Sequence, residues 1–125
     1  MKVKCVRLLD QDGNVTSSDA WLSVGQVYHV LSTFIDPEGA RSYALVSSQN
    51  DGEWPQMVSH MAECFEVVSK VIPANWRPWL HDSGGIGVSP VAWQTPGFSE
   101  DFFDHVPDTY PIFIRERDLI LHEDP

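Results

Sequence analysis

His60 and Cys64, four residues apart with Glu63 between them, are this sequence's nearest approach to a nucleophilic pair. An imidazole beside a thiol can draw off its proton and leave a thiolate able to attack an electrophilic carbon, which would make the chain a small thiol hydrolase. The setting argues otherwise. Cys64 opens the apolar run Cys64-Phe65-Glu66-Val67-Val68, where a cysteine packs as a small hydrophobe, and no Asn or Asp stands at a spacing suited to orienting the ring. Histidine is also the commonest ligand of transition metals, but a zinc site gathers three or four ligands, and His29, His60, His81, His105 and His122 show no such spacing. His81-Asp82 and Asp104-His105 read as solvated polar pairs in turns. Gly84-Gly85-Ile86-Gly87 has the glycines of a phosphate-cradling loop but no lysine, and Pro90 follows where a helix should start, so a tight turn is the better account. Glu100-Asp101 and Glu116-Asp118 would act as general acids or bases only in a cleft that raised one pKa; they suit a helix start and a solvated face. The sequence therefore predicts no catalytic residue, no metal and no cofactor.

Charge and aromatic content say more. The 125 residues hold 18 acids against 8 Lys and Arg, a net charge of −10, and no two basic residues are adjacent. Nucleic acids and anionic membranes attract basic patches, so neither is expected as a partner; a basic protein is. Residues 99–125 carry eight acids against Arg115 and Arg117, a net of −6. There Asp101, Asp104 and Asp108 alternate with Phe102, Phe103 and Tyr110, a combination that would steer and then anchor a basic partner, although a solubilising surface has the same composition. Of five tryptophans, one or two are expected at the surface. Trp93 is a candidate anchor, and so is Trp54, beside Pro55 and after the acidic turn Asp51-Gly52-Glu53. Met1 to Arg7 lacks the long apolar core of a secretory signal and no segment is long enough to span a membrane, so a cytoplasmic protein with Cys5 and Cys64 reduced is expected.

These residues must be positioned by short elements. Lys2 to Leu9, Val24 to Ile35, Arg41 to Ser48, Trp54 to Val58 and Phe65 to Ser69 read as strands. Turn compositions at Asp10–Asn14, Asp36–Gly39 and Gln49–Gly52 separate the first four, and a helical turn at Ser59 to Glu63 precedes the last. Five short strands in seventy residues favour a small closed or half-closed antiparallel barrel, because closure removes exposed sheet edges. Beyond residue 70 the sequence becomes rich in Pro and Trp. Trp76 to Leu80 and Ile86 to Ser89 read as a hairpin kept short by Pro73, Pro78 and Pro90. Ser99 is placed to cap a short helix ending near Asp104, with Phe102 and Phe103 turned inward. Asp108 or Thr109 starts a second helix with Pro111 in its first turn, burying Ile112, Phe113, the Glu116 stem, Leu119 and Ile120; a strand over Asp118 to His122 is the alternative. The expectation is one α+β domain: an SH3-like β-barrel over residues 1–70, followed by the C-terminal hairpin and helical extension over residues 71–125.

Two resemblances follow from these patterns. Leu22-x-x-Gly25-x-x-Tyr28-x-Val30, then Tyr43, Trp54 and Phe65-Glu66-Val67-Val68, resembles small bacterial SH3-like modules over about half the chain, which implies a peptide- or protein-binding adaptor using Trp54, Tyr28 and Tyr43. Pro73-x-x-Trp76, Pro90-x-x-Trp93 and Gly97-Phe98-x-Glu100-x-Phe102-Phe103-Asp104 look similar to an uncharacterised family of short bacterial proteins. The profile as a whole resembles the small acidic immunity proteins of bacterial toxin–immunity pairs, which cover a toxin's active site. That resemblance implies a non-enzymatic inhibitor of a basic toxin, nucleases among them, with carboxylates set where phosphates would lie. Asp101, Asp104 and Asp108 would then supply charge, and Phe102, Phe103, Tyr110, Trp93 and Trp54 the anchors.

Overall fold

The structure, a computed structural model, describes residues 1–46 and 53–125. The first strand is β1 (Lys2–Cys5), whose alternation puts Val3 and Cys5 in the core and Lys4 outside. It lies at the centre of a three-stranded antiparallel sheet between β2 (Val27–His29) and β6 (Phe65–Ser69), with Val3 opposite both Tyr28 and Val67. β1 is shorter than expected because the chain bends after Cys5: the amides of Val6 and Arg7 both turn to the carbonyl of Cys64. The turn at Asp10 to Asn14 forms as expected, its Asp10 carboxylate accepting from the amides of Asp12 and Asn14.

The expected single strand Val24 to Ile35 is divided between two sheets. β2 ends at His29 and β3 (Ser32–Ile35) begins a second sheet, with Val30 and Leu31, 0% and 1% exposed, forming the corner. Consecutive residues of a strand point to opposite faces, and here the change of direction between the two sheets turns both side chains into the core. The second sheet is antiparallel and five-stranded, in the order β5 (Met57–Met61), β4 (Arg41–Val46), β3, β8 (Ile86–Pro90), β7 (Trp76–Leu80). The β3–β4 turn is held by Asp36, whose carboxylate accepts from the amides of Glu38 and Ala40. The turn expected at Gln49 to Gly52 lies outside the described residues. β5 starts three residues later than expected, after Pro55, which is fully buried and has no amide to donate to a ladder. The anticipated helical turn falls at Ala62–Cys64.

Neither sheet is closed. The chain is mixed α+β as expected, but the strands of residues 1–70 form two open sheets in place of a single barrel, and the β7–β8 hairpin continues the larger one through β3. Residues Val91–Gln94 make an unforeseen 3₁₀ turn leading to α1 (Phe98–Phe103), which starts at Gly97 (φ +81°) and not at Ser99. α2 (Thr109–Glu123) settles the last segment as helix and excludes the alternative strand over Asp118 to His122: Phe113, Glu116 and Ile120 are buried at helical spacing. Leu119, expected inside, is 46% exposed.

One core joins sheets and helices, from Val3 through Leu45 and Trp76 to Phe113 and Ile120. Trp76 donates its indole N–H to the Leu31 carbonyl at 3.1 Å, tying β7 to the corner. The amide of Asn75 reaches the buried Glu116 carboxylate at 2.9 Å, docking α2 against the start of β7. After α2, buried Asp124 accepts from the Ser69 hydroxyl at 2.6 Å and lies 3.2 Å from the Met1 amino group and 3.7 Å from Lys2 Nζ, while His29 donates to its carbonyl.

Candidate functional site

His60 and Cys64 do not form the thiol–imidazole pair weighed as an alternative. Cys64 is 3% exposed at the end of the 3₁₀ turn, His60 lies half-buried on β5, and no hydrogen bond joins them. Burial pushes the Cys64 thiol above its ordinary pKa and pulls His60 below its own, opposite to the shifts an activated thiolate–imidazolium pair would show. Cys5 and Cys64 are both buried free thiols. Among the described residues no three His, Cys, Asp or Glu side chains come together to hold a metal ion.

The glycine-rich segment is a hairpin turn. His81 closes it through both backbone groups, its N–H donating to the Gly85 carbonyl at 2.8 Å and its carbonyl accepting from the Gly84 N–H at 2.9 Å. Its glycines make room for rings: a Cβ on Gly87 would fall 2.3 Å from the Trp79 indole, and one on Gly85 2.4 Å from Phe34. Trp79, Phe34 and His81 then pack mutually, with centroids 5.7 to 5.9 Å apart.

The candidate anchors separate into two groups. Phe102, 1% exposed, and Trp93, 7% exposed, are core residues and not exposed anchors. They belong to a column of rings: Trp93 stacks on Phe113 at 4.8 Å, Phe113 on Phe102 at 4.3 Å, and Phe102 meets Trp54 at 5.6 Å. Trp54 is half-buried beneath His105, stacked at 4.7 Å, and beside Tyr110 at 5.5 Å, so it seats the helices and is not a free anchor. Phe103, expected to turn inward, is 55% exposed, and Tyr110 is 37% exposed. Asp101, Asp104 and Asp108 are all exposed on α1 and the following loop. The structure thus gathers three carboxylates and two partly exposed rings on the segment 101–110. His105 helps to turn that segment, with a φ of +60° that an L-residue seldom adopts.

Beside this face lies a cleft of about 640 Å³, between the tip of the β7–β8 hairpin and the stretch from Trp93 to Phe103, with Ser32 and Met57 of the sheet also in its lining. Trp79, Phe98 and Phe103 supply aromatic wall, and Asp82 and Glu100 supply carboxylates. Sequence reasoning assigned no role to this cleft. Two signals in the chain point to it: no Lys or Arg occurs between Arg77 and Arg115, and a glycine, Gly87, stands directly opposite Trp79. Comparison with protein-family models, with curated proteins and with solved structures finds no match to this chain.

Proposed function

We propose that this chain is a non-enzymatic inhibitor of the bacterial immunity-protein type, which neutralises a basic protein partner, such as a nuclease toxin, by covering its active site. The observation that carries the reading is the exposure of Phe103 and Tyr110 among Asp101, Asp104 and Asp108, within a stretch of chain that contains no cation. Exposed carboxylates draw in a basic surface from beyond contact distance, and an exposed ring then gives the complex a desolvated anchor. Within a nuclease cleft, carboxylates occupy the places where substrate phosphates would sit. An adaptor that holds a peptide on Tyr28, Tyr43 and Trp54 has less support, because all three are half-buried, the tyrosines packing on Phe65 and Trp54 on Phe102.

The test is capture of a one-to-one partner from the cells that make the protein, at low and high salt, followed by assay of that partner's activity with and without this chain. Replacing Asp101, Asp104 and Asp108 together by Asn should slow association by about tenfold or more at low salt, with a smaller effect at high salt, as expected for steering charges. An association rate unchanged in the triple variant, or a partner whose activity survives saturation, overturns the reading. Phe103→Ala should speed dissociation instead.

A further inference from the structure

We propose that the cleft between the β7–β8 tip and α1 receives an arginine side chain presented by the partner protein. Only the choice of a protein as the source of that arginine rests on the inhibitor reading above; the cleft's preference for a guanidinium rests on its own lining.

That lining is rich in acceptors. Asp82 and Glu100 bring two carboxylates, neither forms an ion pair among the described residues, and no Lys or Arg lines the cleft. Gln94 adds a third acceptor for a structural reason: its amide nitrogen donates to the Ser89 carbonyl at 3.0 Å and the Arg77 carbonyl at 2.8 Å, so the side chain keeps only its carbonyl oxygen to offer a ligand. His81 Nδ1 is held by the Ser83 amide at 3.1 Å, which fixes the ring within the turn. Two unpaired carboxylates with no Lys or Arg beside them disfavour anions and leave neutral ligands with charged groups to desolvate, while the hydroxyl, indole and imidazole donors of the lining are uncharged.

The shape of the lining selects among cations. Trp79 lies against Gly87, where no side chain intervenes, and Phe103 stands exposed on the α1 side. Flat aromatic surfaces beside carboxylates suit a planar guanidinium, which stacks on rings and donates up to five N–H bonds in a fork; a lysine ammonium is compact, more strongly hydrated and stacks poorly. The volume is in the range of pockets that enclose a small ligand, with room for one side chain and its flanking peptide.

The experiment uses the full chain with its tryptophans labelled with ¹⁵N, titrated with N-acetyl-arginine methylamide and followed at the Trp79 indole N–H resonance, which Trp79→Phe identifies. The expected result is a saturable shift with a Kd of about 1–10 mM, the range for one side chain binding without the rest of its interface. The lysine analogue should bind about threefold or more weakly, and the isosteric but uncharged citrulline analogue should not shift the resonance. Asp82→Asn with Glu100→Gln, both exposed and so little burdened by folding, should weaken binding about tenfold or more, whereas the Asp101, Asp104 and Asp108 triple variant should change it less than about threefold at 0.15 M salt. Absence of a saturable shift, equal binding of the citrulline analogue, or full affinity in the double variant overturns the proposal. Free arginine binding about tenfold more tightly than the blocked amide would overturn the protein-borne source, because the cleft would then be reading the amino-acid termini. Arginine binding that persists while capture shows no salt-dependent partner would refute the inhibitor reading and leave the cleft's specificity standing.

Discussion

His60 shows how one side chain can stand in for a catalytic group in the sequence and do something else in the fold. It faces Tyr43 across the ladder and meets Phe65 edge-on at 6.4 Å, with Nε2 shut off from solvent and without a hydrogen-bond partner among the described residues. Burial holds its pKa below the ordinary histidine value. As pH falls through about 6.5, the unfolded chain takes up this proton and the folded chain does not, so the unfolded state binds more protons and stability declines. The decline ends once pH is below the native pKa. His60→Phe removes this coupling: the urea midpoint of the native protein should fall between about pH 7.5 and pH 5.5 by more than that of the variant. Equal declines in the two proteins would mean that His60 is hydrated and titrates normally. The same burial that makes His60 pH-sensitive keeps Cys64 a thiol, and both follow from packing that their spacing along the chain did not reveal.

At the scale of elements, the β7–β8 hairpin depends on two absent side chains. Gly87→Ala puts a methyl group 2.3 Å from the Trp79 ring and Gly85→Ala puts one within 2.4 Å of Phe34 and 3.0 Å of the Ile35 carbonyl. In each case the aromatic ring must leave its place, and overpacking of this kind costs about 1–3 kcal/mol. Thermal unfolding of Gly87→Ala should show that loss, together with a changed near-ultraviolet circular dichroism signal as Trp79 reorients; an unchanged melting point would show that the ring moves freely. This hairpin was legible in the sequence because turn residues and prolines bracket it. So were β1, the Asp36 turn and β6; for the last segment the sequence left helix and strand both open over Asp118 to His122, and only the burial of Phe113, Glu116 and Ile120 on one face decides for α2. The corner at Val30 and Leu31 was not legible, since a strand-forming stretch such as Val27 to Ile35 reads the same whether it stays in one sheet or crosses between two. The site was only half legible for a related reason. Asp101, Asp104 and Asp108 are on the surface as their composition implied, but Phe102 and Phe103 are neighbours of one residue type, and only the packing of α1 on Phe113 decides which is core and which is exposed.

For the molecule as a whole, the strongly negative surface coexists with carboxylates brought inside, those of Glu116 and Asp124 among the described residues. The Ser69 hydroxyl, and beside it the Met1 amino group and Lys2, hold the Asp124 carboxyl below the usual range. A depressed native pKa contributes stability that is fully present above the ordinary carboxylate value of about 3.9 and is lost as pH falls below it. Losing these charge-assisted hydrogen bonds in Asp124→Asn should cost about 1–3 kcal/mol near neutral pH, and the difference from the native protein should narrow as pH falls below about 3.9. Thermal melts across that range check it, and a constant difference would assign the loss to packing. The strand order has another consequence, one of timing. β1 completes its sheet only by meeting Val67 from the far side of the sequence, and β3 waits for Val88 before its second edge is covered. Pairings between distant segments are slow to form, so a chain emerging from the ribosome carries an open β3 edge until the hairpin is made, and in that interval the nascent protein is most exposed to joining strands with a neighbour.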